Sequence, residues 1–406
     1  MLTLEQGFLL SCMGDLVRGV PTDMPGAGLD WKKLFTLSNE HCLDSLIFAQ
    51  CRKWMGKDQN EEAFRAIFSW HVFYSVNRSD FMKEIAERFC KEGIPFLCIK
   101  GSVLRDYYPE PALRTMGDID IVIKTDDRQK TDQILREEMG FQRMIDNHSV
   151  WTYWKDQFQF EIHDHMFYED LANKVDYKGY FDTVWEQCHN ASVFGIQSPF
   201  LYVPDENFHF LYLIAHIAKH VLNNGSGFRA YLDMVFMVKE CGDRLNWQVL
   251  SKELDNLKLL TFAKTCFSCC ERWFGMEMPL HLDHLEDSLF EAITGKTFRD
   301  GVFGLDNDEN QPASAAKEIQ QSRSPYSFAA VKRGFKKLFP PYRDLQLVPW
   351  YSFVDGKPWL LPAAWVYRWF YCAGKKLNHS VKLISEPFTK KKDVLNRQQL
   401  MKDWGL

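Results

Sequence analysis

The chain has no surplus of positive charge: 49 lysines and arginines face 54 aspartates and glutamates, for a formal net charge of −5. Proteins that grip a nucleic-acid backbone carry a basic balance or a basic stripe. No such stripe lies near the residues singled out below, which disfavours a polymerase or a tRNA-tailing enzyme, and no nucleic-acid partner is expected. No apolar run reaches 18 residues, so no transmembrane segment is expected. There is no signal-peptide pattern, and the eleven cysteines are scattered without a disulfide framework, which together read as a reducing cytoplasm. Cys266, Cys269 and Cys270 make one Cys-x-x-Cys. A structural zinc needs four ligands and no second pair follows, so buried thiols are favoured over metal. Internal repeats are also missing.

The 406 residues suffice for two or three domains with their own cores. The chemistry concentrates in residues 99–121, Ile-Lys-Gly-Ser-Val-Leu-Arg-Asp-Tyr-Tyr-Pro-Glu-Pro-Ala-Leu-Arg-Thr-Met-Gly-Asp-Ile-Asp-Ile. A Gly-Ser pair ends an apolar run. Downstream, Asp118 and Asp120 sit two apart in a strand-like segment, so both carboxylates face one way while Ile119, Ile121 and Ile123 face a core. Two adjacent carboxylates repel, and a cation resolves the repulsion. Oxygen-only ligands with open positions suit Mg²⁺, which arrives with substrate phosphates. In Phe158–His163 the same parity places Gln159, Glu161 and His163 on a polar face and Phe158, Phe160 and Ile162 on an apolar one. Asp164 falls on the wrong face by parity unless a bulge reverses it.

Along the chain, residues 1–90 read as helices, with Asp30 as the N-cap of the helix carrying Trp31 and Leu34. Residues 91–204 read as an α+β core, a mixed sheet of four or five strands with helices packed on one face. The candidate strands are 94–99, 118–123, 141–145, 150–154 and 158–163, with a helix from about 126 to 139 stopped by Gly140 and a hairpin across Lys155-Asp156-Gln157. Residues 205–299 are helical again, with Asp205 as a plausible N-cap. Residues 300–324 read as a flexible linker, and 325–406 as an aromatic and basic C-terminal segment.

Lys-Gly at a strand end, Tyr-Tyr-Pro-x-Pro, then Arg-x-x-Gly-Asp-Ile-Asp-Ile resembles the bacterial uncharacterised nucleotidyltransferase family of the DNA polymerase beta-like superfamily. The resemblance implies an enzyme that moves an NMP from an NTP, ATP being the expected one, to a hydroxyl of an acceptor it does not identify. It implies two Mg²⁺ or Mn²⁺ ions bridged by Asp118 and Asp120, with Glu161 as the third carboxylate, ligating one ion and helping to deprotonate the acceptor. Gly101 and Ser102 are then the phosphate cradle, opening a helix at a strand end. Lys100 and Arg114 are the nearest cations for the triphosphate, with Arg114 preferred for its planar fork.

Other groups fall where the superfamily walls its cleft. His216 and His220, spaced i, i+4, share a helix face with His209, and Arg229 and Asp233 are placed to pair on the next helix. With His163 they are candidates for base, ribose or acceptor contacts. The C-terminal aromatics and lysines read either as core packing, which is favoured, or as a peripheral membrane contact. The non-catalytic alternative is a nucleotide-binding or interaction protein built on the same fold.

Overall fold

The computed structural model describes residues 2–55, 59–146, 150–156, 158–168, 171, 173–223, 225–302, 339–345, 353–354, 356–375 and 391–406. They belong to two compact units, Met1–Asp306 with Asp403–Leu406, and Asn307–Lys402.

The first unit opens with helices α1 (Leu4–Arg18), α2 (Trp31–Glu40), α3 (Asp44–Cys51) and α4 (Gln59–Glu92). Asp30 caps α2 as its position implies: one carboxylate oxygen accepts from the Lys32 and Lys33 amides at 3.0 and 3.1 Å. The sheet follows, with β1 (Phe96–Cys98), a helical turn α5 (Gly101–Leu104) and β2 (Asp118–Ile123). The helix expected over 126–139 is broken into α6 (Arg128–Gln133) and a wider π turn over Ile134–Glu138. It ends at Gly140, whose φ of +73° a glycine adopts without strain.

Strands β3 (Gln142–Asp146), β4 (Val150–Lys155) and β5 (Phe158–His163) form the expected meander, with the β4–β5 hairpin closing at the Lys155–Phe158 pair. A short helix α7 (Tyr177–Asp182) leads to β6 (Cys188–Asn190) and β7 (Leu201–Pro204). The sheet therefore has seven strands, in the order β3-β4-β5-β2-β1-β7-β6, rather than four or five. The two additions are three and four residues long, too short to show an alternating pattern; β7 pairs parallel to β1 and β6 closes the edge.

Register decides the chemistry. β2 and β5 run parallel, with Asp118 beside Gln159, Asp120 beside Glu161 and Val122 beside His163. One face of the pair is apolar: Ile119, Ile121, Ile123, Phe158, Phe160 and Ile162 share a core with Phe81, Met82, Ile85 and Phe89 of α4. Phe158 stacks between Tyr74 and Phe81, with centroids 4.8 and 4.7 Å away. The polar residues are thereby turned to the opposite face.

Helices α8 (Glu206–Asn223), α9 (Phe228–Cys241), α10 (Trp247–Asn256), α11 (Leu260–Phe274) and α12 (Asp287–Asp300) complete the unit. The Asp205 carbonyl accepts the His209 amide at the start of α8, while its carboxylate turns away to His189 Nδ1 at 2.8 Å. Cys266, Cys269 and Cys270 are free, fully buried thiols on α11. Trp404 packs against Phe262.

In the second unit, Leu345, Val354 and Ala364 form a small core, and the Trp365 indole donates to the Pro340 carbonyl at 2.8 Å. Most of the expected linker, residues 303–324, and much of the C-terminal segment lie outside the described residues. No helix among the described residues is long and apolar enough to cross a membrane.

Phe160 is fully buried in the middle of the shared core. Phe160→Ala is expected to lower unfolding free energy by about 3–5 kcal/mol. Met144→Ala, at a 60% exposed position of β3, should stay within about 0.5 kcal/mol of the parent. Denaturant titration of both variants checks the face assignment.

Candidate active site

The β2–β5 register brings Asp120, Glu161 and His163 together, with one ligand atom from each lying within 4.8 Å of the others. His163 Nε2 is 2.9 Å from Asp120 Oδ1 and 3.7 Å from Glu161 Oε2. The Gln159 amide donates to Glu161 Oε1 at 3.0 Å, which leaves the other oxygen free to turn toward His163. Asp118 is half-buried on the same strand face but stands outside this trio. Of the expected Asp118–Asp120–Glu161 set, Asp120 and Glu161 thus cluster with His163 among the described residues, and Asp118 stands beside them. Parity had already put His163 on the polar face; what the sequence did not show is that its ring bends back to Asp120.

Two carboxylates and an imidazole can hold a divalent ion. The carboxylates suit Mg²⁺ or Mn²⁺, and the imidazole extends the range toward the later transition metals. Lys100 balances the same carboxylate, with its ammonium 2.7 Å from Asp120 Oδ1. Burial alone would raise the Asp120 carboxyl, but Lys100 and His163 outweigh burial and hold it well below the usual carboxylate range. Asp118 shifts the other way: burial, then the neighbouring charge of Asp120, makes it easier to protonate. Burial opposes the charge on Lys100 and His163 too, yet contact with Asp120 leaves both more basic than usual.

Lys100, between β1 and α5, has φ +51° and ψ −126°, a conformation that favours glycine. Its amide donates to His209 Nε2 at 3.3 Å, which requires a neutral ring on α8. Gly101 begins α5 as expected. A Cβ there would lie 2.4 Å from Arg114 Nη1, so only glycine fits the close approach. Ser102 is fully buried, and its hydroxyl has no hydrogen-bond partner among the described residues.

Arg114 is less open than its assignment to the triphosphate supposed. Its Nε and Nη2 each lie 2.7 Å from the Asp233 carboxylate, which also accepts the Tyr108 hydroxyl at 2.9 Å. Only Nη1 is directed at Gly101. The expected Arg229–Asp233 pair does not form. Arg229 donates to the Thr115 carbonyl instead, because Asp233 finds a partner 119 residues away that helical spacing cannot reveal.

His209, Tyr212, His216 and His220 make a continuous ring-to-ring stripe along α8. Tyr212, which helical spacing alone did not single out, places its hydroxyl beside the Lys100 ammonium. The Nε2 atoms of His216 and His220 are 3.3 Å apart, and His216 lies close enough to Lys100 and His163 to feel their charge. Asp164 is set aside from the trio by Arg128 at 2.5 Å and the Tyr168 hydroxyl at 2.6 Å. It lines a neighbouring cavity of about 280 Å³ together with Val122, Lys124, His165, Asp182 and Trp185.

A family model described as "uncharacterised nucleotidyltransferase" matches residues 27–275, more than half of the chain, and the chain belongs to that family. The match reaches beyond the sheet to take in α4, α8 and α9. No curated protein and no solved structure matches the chain.

The charges of the site separate two neighbouring aspartates. In metal-free buffer at pH 7, Asp120→Asn leaves Lys100 and His163 without their counter-charge and should destabilise the fold by about 3–5 kcal/mol. Asp118→Asn removes a charge that burial and Asp120 disfavour, and should raise the melting temperature. Thermal unfolding in EDTA separates the two.

Acid should act through the histidines of α8. Burial holds His209 down to about 4 and His220 down to about 3, against an ordinary 6.5. Their unfolded forms take up protons first, so the stability they support is complete above pH 6.5 and falls as pH drops toward 4. The expected slope is about 1.4 kcal/mol per pH unit for each ring. His220→Gln should flatten the melting temperature profile between pH 6.5 and 4.

Proposed function

We propose that this member of the uncharacterised nucleotidyltransferase family transfers an NMP from an NTP, with ATP as the expected donor, to a hydroxyl on a small molecule, a glycan precursor or a protein. The observation that carries the proposal is the pairing of Asp120 with Glu161 on adjacent parallel strands, beside the Gly101–Ser102 turn. Asp120, Glu161 and His163, with Asp118 next to them, would hold Mg²⁺ or Mn²⁺. When bound, such ions draw charge from the attacking and leaving oxygens of an in-line displacement.

The chain's own residues do the rest. The acceptor oxygen attacks the α-phosphorus, the bond from that phosphorus to the β-bridging oxygen breaks, and pyrophosphate leaves with the bonding pair. Glu161 takes the acceptor proton. Gln159 anchors one of its oxygens, so the carboxylate meets the hydroxyl in a fixed orientation. Until an ion takes its place, the His163 Nε2–H donates to Asp120 and positions that carboxylate. Ser102, buried and without a hydrogen-bond partner among the described residues, supplies a donor to a phosphate oxygen. The cavity that starts at Val122 lies beyond His163 on the same strands, and we assign it to the acceptor. A reducing cytoplasm suits the free cysteines of the described residues.

One observation favours the non-catalytic alternative. The Lys100 ammonium already occupies Asp120 Oδ1, one of the two oxygens that carboxylate could offer an incoming ion. Pyrophosphate release in the presence of Mn²⁺ and mixed acceptors decides between the two. Glu161→Gln should leave NTP binding within a few-fold while lowering turnover by about 10²–10⁴-fold. Equal turnover in the variant removes Glu161 from the reaction, and NTP binding without any pyrophosphate release supports the binding-protein reading.

A further inference from the structure

Three arginines are buried around one small cavity. Arg78 of α4, Arg105 of the turn after α5 and Arg114 before β2 are 2, 7 and 8% exposed, and they line the cavity together with Ser75, Thr115 and Met116. Buried like charges are unfavourable unless counter-charge compensates them, and here the compensation is incomplete. Arg114 has Asp233. Arg105 donates to the Ser75 hydroxyl at 2.6 Å, and its nearest carboxylate, the half-exposed Asp106, is 3.8 Å away. Arg78 makes no ion pair among the described residues. It donates to the Met116 carbonyl at 3.0 Å and lies 4.4 Å from the Tyr74 ring centroid.

The Nε–H groups of both Arg78 and Arg105 are buried without an acceptor among the described residues. Burial, together with the positive charges of Arg78 and Arg114, pulls Arg105 down to about 10. The cavity adjoins the candidate active site. Arg114 Nη1 abuts Gly101, and Arg78 and Arg114 both act on Asp118.

We infer that this cavity is an anion subsite that receives the terminal end of the nucleotide's polyphosphate tail, with Arg78 and Arg105 as its unassigned ligands. The inference rests on the nucleotidyltransferase reading for the identity of the anion. The cavity measures about 10 Å³, close to what one water needs. It therefore admits a single phosphate oxygen beside Arg78 and Arg105, while the remainder of the tail lies outside it. Guanidinium groups suit an anion site of this kind, because they are weakly hydrated, always charged, and their planar donors match phosphate oxygens. α4, whose spacing shows only a core-facing stripe, thus also carries a ligand of the site from Arg78.

The test uses the full chain in EDTA, with sodium tripolyphosphate as the probe and chloride as the control anion, read by calorimetry and by competition against NTP. Tripolyphosphate should bind without a divalent ion, should outcompete chloride and should displace NTP. Arg78→Gln and Arg105→Gln should each weaken it at least ten-fold, and Arg105→Lys, which keeps the charge but not the fork, should fall between. Mn²⁺ alone should bind all variants as it binds the parent. Unchanged tripolyphosphate affinity in both Gln variants overturns the subsite, as does binding no tighter than chloride or binding that does not displace NTP. Loss of pyrophosphate release with tripolyphosphate binding intact would instead refute the transfer reaction and leave the subsite standing.

Discussion

Arg114 and Asp233 meet fork to fork, with two nitrogens on two oxygens at 2.7 Å and both side chains less than a tenth exposed. Removing either partner from such a pair strands a charge away from water and costs about 3–5 kcal/mol. The pair ties the loop before β2 to α9, and the Tyr108 hydroxyl adds a third contact on the same carboxylate. Much of the site follows from it. With two nitrogens committed to Asp233, the third lies against residue 101, and no side chain larger than a hydrogen fits there. The Gly-Ser turn, the entry into β2 and the helical wall are thereby held in one frame.

Within that frame the charges are arranged as two groups. On one side a single oxygen of Asp120 takes both Lys100 and His163, while Asp118 makes no ion pair among the described residues. On the other side three arginines share too few carboxylates. A metal–polyphosphate ligand has the complementary polarity, with its cation facing the carboxylates and its anionic tail facing the arginines. Each half of such a ligand would displace or satisfy something the protein alone leaves unbalanced, which gives metal and tail a physical reason to bind together.

The carboxylate pattern was legible because a strand has a period of two and, Val122 apart, the apolar residues obey it across Asp118–Ile123 and Phe158–His163. The neighbouring placement of the two strands agreed with the reading, as did the helical start at Gly101. Long-range pairing was not legible. Asp233 looked like a partner for Arg229 four residues before it, since local spacing is all a helix pattern offers; its real partner lies on another element. Strands β6 and β7 were lost because three- and four-residue strands carry no periodic signal. Arg78 was hidden in an amphipathic helix, where a charged residue reads as solvated until the fold buries it. His163 joined the trio through its rotamer, which no pattern of residue types encodes.

The backbone at Lys100 has a consequence for how such chains change over generations. At φ +51° a lysine is strained where a glycine is not, by about 1–3 kcal/mol. Replacing it by glycine would relieve the backbone but would leave the buried Asp120 carboxylate without its ammonium. The two costs oppose each other, and the ion pair with Asp120 is a folding reason for lysine to persist at this strained position.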